Sequence, residues 1–148
     1  MLLQYQDGEP FASGACSFRG ALAGRESEVP KVIVDIEING IQTEAAVDTG
    51  GIYLIVHPDL VDVDPAEGLL HTHVWLRGHR IDGSLHRVEL IIPAEDGASL
   101  HVEATALVPL LSLGDPTWLF PNYLGWYMCL ERMRFALDPQ ENMFYFGA

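Results

Sequence analysis

The tetrapeptide Asp48-Thr49-Gly50-Gly51 is the candidate chemical centre of this sequence. A carboxylate that activates water must project from a rigid turn into a cleft, and two successive glycines allow tight backbone geometry while keeping side chains out of the substrate path. Thr49 can hydrogen-bond neighbouring backbone and brace the loop. As a bare tripeptide, Asp-Thr-Gly is more often an ordinary turn than a catalytic one, so the weight falls on its placement directly after one apolar segment and before another. One carboxylate is half of what this chemistry needs. Peptide hydrolysis by paired acids requires two carboxyls close enough to share one proton, because like charges at that distance cannot both ionise.

Other constellations carry less. Asp82-Gly83-Ser84 has the wrong order and reads as a hairpin turn. His71 and His73 share one strand face and could ligate a metal, but with no nearby Cys or His-x-x-x-His pattern they read as surface residues, and no metal or other cofactor is expected. Ser17, Ser84, Ser99 and Ser112 lack the Gly-x-Ser-x-Gly setting. No His-Glu-x-x-His or phosphate-cradling glycine motif is present. Trp118, Phe120, Trp126 and Tyr127 read as core or dimer contacts rather than ligand stackers.

The elements that must position Asp48 follow from hydrophobic periodicity. Val32, Val34, Ile36 and Ile38 alternate with Asp35 and Glu37, the period of a half-buried strand, and Asn39-Gly40 supplies a hairpin turn. The return strand Ile41 to Val47 runs into Asp48. Ile52 to Val56 is a short apolar run suited to a buried strand, and His57-Pro58-Asp59-Leu60 can begin a brief helical turn. Leu69 to Leu76 and Leu85 to Ile92 flank Arg77 to Gly83, which reads as the tip of a projecting hairpin. Pro93 to Ala98 is a turn, Leu100 to Val108 alternates as a late strand, and Pro109 to Pro121 reads as a loop. Trp126, Cys129, Leu130 and Met133 recur at helical spacing, so a short helix is expected over Trp126 to Arg132. Phe135-Ala136-Leu137 and Met143 to Phe146 flank a turn and close the chain as a hairpin. Residues 1–30 read as an irregular N-terminal arm with one strand near Ala15 to Leu22, ahead of a single domain over 31–148.

The hairpin before Asp48, the apolar run after it, the tip at Arg77 to Gly83, and Tyr123-Leu124-Gly125 leading into a helix and a final strand together resemble the retropepsin-like (retroviral-type) aspartic protease family. The likeness spans about Lys31 to Gly147 and is closest to bacterial single-domain members; only Asp48-Thr49-Gly50 is individually specific. It implies an all-β fold, a closed barrel of acid-protease type with one short C-terminal helix. It also implies a homodimer in which Asp48 of both chains forms the dyad, with Thr49 and Gly50 completing the catalytic turn. A peptide or protein substrate would lie under a flap, with Gly51, Gly78, His79, Arg80, Ile81, Asp82 and Gly83 as its binding residues. Two departures stand out: Gly51 occupies a position where the family usually has Ala or Ser, and the flap lacks a glycine-rich tip. The alternatives are an inactive retropepsin-like dimerisation or peptide-binding module and, more remotely, a His-dependent metal hydrolase.

Bulk properties agree with one globular domain. The chain has 148 residues, 49% hydrophobic and 20% charged, enough for a real core and too short for two independent ones. Twenty-one acidic residues against eight basic ones give a net charge of -13, which repels phosphate backbones and anionic lipid, so neither nucleic acid nor a membrane is an expected partner. No apolar run reaches the length that crosses a bilayer. Met1 to Asp7 has neither a positive n-region nor a long apolar stretch, so a cytoplasmic location is expected, with Cys16 and Cys129 reduced and packed.

Overall fold

A computed structural model describes residues 2–29, 31–61, 70–110 and 120–148. The alternation read from the sequence becomes strands β1 (Gly14–Ser17), β2 (Ile33–Ile38), β3 (Ile41–Val47), β4 (Leu54–Ile55), β5 (His71–Leu76), β6 (His79–Ile92), β7 (Asp96–Gly97), β8 (Leu100–Pro109), β9 (Asn122–Leu124), β10 (Arg134–Asp138) and β11 (Met143–Gly147). Among the described residues helical structure is confined to single 3₁₀ turns, at Pro58–Leu60 and Leu130–Arg132. The expected turn after His57 is thus present. The helix expected over Trp126 to Arg132 shrinks to its last three residues. Met128 takes a left-handed backbone (φ 55), which breaks a helix at that point, and Trp126 and Tyr127 are instead drawn into the turn that follows Asp48.

Strands β2, β3, β9, β4, β8 and β6 pair in that order, and β2 pairs again with β6, which closes a six-stranded barrel. Closure leaves those strands without free edges. β5 attaches only to β6, outside the ring. A second sheet, ordered β10-β11-β1-β7, packs Phe144 and Phe146 against the barrel core. β1, inside the stretch read as an arm, pairs with β11 and buries Cys16 in that core.

Apolar residues one apart in β2, β3, β6 and β8 serve two different clusters. Val34, Ala45, Val88, Leu90, Ala106 and Val108 fill the barrel. Ile33, Ala46, Leu85 and Leu107, on the opposite faces, join Ile55, Val74 and Tyr123 in a second cluster beneath β5. Successive side chains on a strand point to opposite faces, so strands buried on both sides show runs of apolar residues where half-buried ones alternate. The second cluster is the floor on which the Asp48 turn and β5 rest.

The two hairpins that matter most turn in two residues each. Asn39 and Gly40 have φ of 49 and 84°, and Arg77 and Gly78 have φ of 49 and 80°, the geometry that matches strand twist in a tight hairpin. The second case corrects the tip expected over Arg77 to Gly83. The turn itself takes only Arg77-Gly78, and Leu76 already faces His79 across the ladder. Asp82 and Gly83 lie inside β6, opposite His73 and Thr72.

Candidate active site

Asp48 leaves the end of β3, where Ala45, Ala46 and Val47 run parallel to Asn122, Tyr123 and Leu124 of β9. Its backbone N–H donates to Leu124 O at 3.0 Å, and Gly51 N–H donates back to Asp48 O at 3.1 Å, closing the turn. Within the turn, the N–H groups of Gly50 and Gly51 donate to Asp48 Oδ1 at 3.2 and 3.1 Å. Two backbone donors on one carboxylate oxygen fix its orientation and leave Oδ2 for other partners.

The turn is clamped from the far side by the segment after β9. Trp126 N–H donates to Gly51 O at 2.8 Å and Tyr127 N–H to Ile52 O at 2.7 Å. The Tyr53 and Tyr127 rings meet edge to face at 5.9 Å. This crossing requires Gly125: a Cβ there would lie 2.1 Å from Tyr53 O and 2.4 Å from Tyr53 C. Asn122, buried in β9, ties the same region together. Its Nδ2 donates to Thr43 Oγ1 at 3.1 Å and Glu44 O at 3.0 Å, while its Oδ1 accepts from His57 N–H at 2.9 Å.

Asp48 is half-buried and lies at the junction of two open clefts. One, of about 570 Å³, is walled by Ile52, Tyr53, Ile55, Val74 and Leu76. The other, of 740 Å³, is bounded by Lys31, Val47, Trp75, Arg77 and Tyr123. Asp48 is the sole acidic residue among the described residues lining either cleft. Burial raises the pKa of the Tyr123 hydroxyl; the charge of Arg77 opposes that rise and the charge of Asp48 adds to it.

The expected site residues therefore divide. Asp48, Thr49, Gly50 and Gly51 form one turn, with Thr49 and Gly50 exposed. The bracing expected of Thr49 is absent within one chain, where its hydroxyl has no hydrogen-bond partner among the described residues. Gly78, His79, Arg80, Ile81, Asp82 and Gly83 line neither cleft. The His79 ring lies 6.4 Å from that of Phe120, Arg80 pairs with Asp82 at 3.1 Å, Ile81 packs on the second cluster, and Gly83 is pressed against Val108 O. The wall facing Asp48 comes from the other arm of the hairpin, Val74 to Arg77. A two-residue turn at Arg77-Gly78 was the signal for this, because it extends β5 up to Leu76.

His71 and His73 are exposed on β5, and the described residues contain no group of three metal-ligating side chains. Cys16 and Cys129 are free and buried, and burial pushes both thiols up to about 12. No helix of the described residues is long and apolar enough to cross a membrane.

No family model and no curated protein matches the sequence. Among solved structures, a retropepsin-like aspartic protease from Rickettsia conorii matches with a TM-score of 0.56 and 17% identity, over 90% of this chain and 89% of that one. The fold is retropepsin-like. In this retropepsin-like chain the strand, turn and strand around Asp48 and the crossing segment at Gly125 are parts of one continuous scaffold, so the carboxylate is positioned by backbone rather than by side-chain packing alone.

Proposed function

We propose that the chain is an aspartic endopeptidase that works as a two-fold homodimer, with Asp48 of each protomer supplying one carboxyl of the dyad. The observation that carries this reading is the Asp48 carboxylate, held by two backbone N–H groups at the meeting point of two clefts on a retropepsin-like fold. A second chain is needed because, among the described residues, neither cleft offers another acid. Exposed apolar groups around the turn favour such a partner: Ile52, Trp126 and Tyr127 are 60%, 48% and 47% exposed, and clustered exposed apolar residues mark association surfaces. The unpartnered Thr49 hydroxyl beside them suits a hydrogen bond across the two-fold axis.

In this mechanism the ionised carboxyl takes a proton from water as its oxygen attacks the peptide carbonyl carbon. The protonated carboxyl donates to the carbonyl oxygen, giving a gem-diol. Collapse of the gem-diol breaks the C–N bond, and the amine leaves with a proton from the dyad. The rate should follow a bell in pH with its optimum below neutrality, because the pair must hold one proton.

Subunit mixing tests the reading. Asp48→Asn keeps shape and removes the ionisable group, so the pure variant should be folded, dimeric and inactive on a diverse peptide library. If each site needs both copies, an equal mixture after full exchange retains about a quarter of wild-type activity, the share of wild-type homodimers. Retention of half, with exchange verified by mass spectrometry, would show that each chain works alone and would sink the shared dyad.

A further inference from the structure

The two clefts beside Asp48 differ in chemistry. The one walled by Ile52, Tyr53 and Val74 is apolar and aromatic, whereas the one bounded by Lys31 and Arg77 carries two cations in a chain whose net charge is -13.

Arg77 stands apart from the other seven basic residues. Arg19, Arg25, Lys31, Arg80 and Arg87 all form ion pairs. Arg132 donates to Glu103 O at 2.6 Å, and Arg134 lies over the Tyr5 ring at 6.0 Å. Among the described residues Arg77 has no hydrogen-bond or ion-pair partner. With 21 acidic side chains available in the sequence, an unpaired guanidinium at the mouth of a cleft is a group left free for a ligand. The neighbouring Lys31 ammonium is partly engaged, at 3.3 Å from Glu28 Oε2. Trp75, 64% exposed, provides an apolar wall on the same cleft.

We infer that this cleft is a subsite for an acidic side chain, Glu or Asp, of a bound peptide. The planar guanidinium of Arg77 donates two parallel N–H bonds to the incoming carboxylate, a geometry that a lysine cannot reproduce. Trp75 and Tyr123 cover the methylenes of that side chain. An acidic peptide would be repelled by most of this molecule's surface, and Arg77 supplies the local reversal of sign that admits it. The inference rests on the peptidase reading for its substrate class and names the feature by which that substrate is chosen.

The test uses binding to Asp48→Asn protein, so that turnover does not enter. Fluorescein-labelled octapeptides with Leu-Phe at the centre carry either Glu or Gln at each flanking position in turn, and affinity is read by fluorescence polarisation at low and high salt. At one position or more, Glu should bind about three- to tenfold tighter than Gln, with the difference shrinking at high salt. Arg77→Asn should abolish the preference and Arg77→Asp should reverse it. Both replacements tolerate the left-handed backbone at position 77 (φ 49), so the hairpin turn is retained. Equal binding of Glu and Gln at every position, a preference that survives Arg77→Asp, or no binding up to millimolar peptide would overturn the inference. Cleavage of the same panel by wild-type protein separates the two ideas. Peptides bound with a Glu preference and never cut would sink the peptidase reading alone, and peptides cut without regard to Glu would sink the subsite alone.

Discussion

Replacing Gly125 by alanine tests whether the Asp48 turn is held by backbone crossing. The added Cβ would meet Tyr53 O at 2.1 Å, Tyr53 C at 2.4 Å and Tyr53 N at 2.8 Å. All three are main-chain atoms, so no rotamer change relieves the clash, and the two segments must separate by more than an ångström. Overpacking of this kind costs about 1–3 kcal/mol. Separation also strains the bonds from Trp126 N–H to Gly51 O and from Tyr127 N–H to Ile52 O, each worth about 1 kcal/mol net. The combined loss is about 3–5 kcal/mol, a large fraction of the roughly 5–15 kcal/mol that stabilises a domain. Urea unfolding followed by tryptophan fluorescence reads it directly, and with a slope of about 2 kcal/mol per molar the midpoint should fall by roughly 1.5–2.5 M. Gly50→Ala is the control, because its Cβ would meet only Asp48 Oδ1 at an ordinary 3.7 Å, and its midpoint should move by less than about 0.5 M. A Gly125→Ala midpoint no lower than that of Gly50→Ala would refute the reasoning.

Gly51→Ala should be tolerated. Its Cβ would fall 2.8 Å from Asp48 Oδ2, a side-chain atom that can swing away, so stability in urea unfolding should change by less than about 1 kcal/mol; a loss above about 3 kcal/mol would contradict this. Asn122→Leu removes the acceptor for His57 N–H and the donors to Thr43 and Glu44, and should cost about 2–4 kcal/mol in urea unfolding; a loss under about 0.5 kcal/mol would contradict it. The buried thiols have folded pKa values of about 12 against an ordinary 9.0. The folded state therefore binds more protons than the unfolded state between those values, and stability is full below pH 9 and falls as pH rises toward 12. Cys16→Ala/Cys129→Ala protein should show a shallower alkaline decline; an identical decline would remove the thiols as its cause.

Local patterning determined much of this molecule. Strands β2 and β3 and the turn between them follow from strict alternation around Asn39-Gly40, and the observed pairing of Ile38 with Ile41 is the register such a two-residue turn imposes. The placement of Asp48 at the end of a strand was legible for the same reason. What local pattern could not decide was which chain segments meet. The Trp126 to Met133 spacing has helical period, yet Trp126 and Tyr127 hydrogen-bond to the turn after Asp48: the first N–H groups of a helix have no partner within it, and here a segment about 75 residues away supplies their acceptors while the left-handed backbone at Met128 interrupts the helix. The hairpin tip is shorter than the sequence suggests because glycines at 78 and 83 look alike in sequence. One supplies a positive φ at a turn, and the other supplies room for Val108 O inside a sheet. Only tertiary packing separates those two uses of glycine, and with them it decided that Val74 to Arg77, rather than Gly78 to Gly83, faces Asp48.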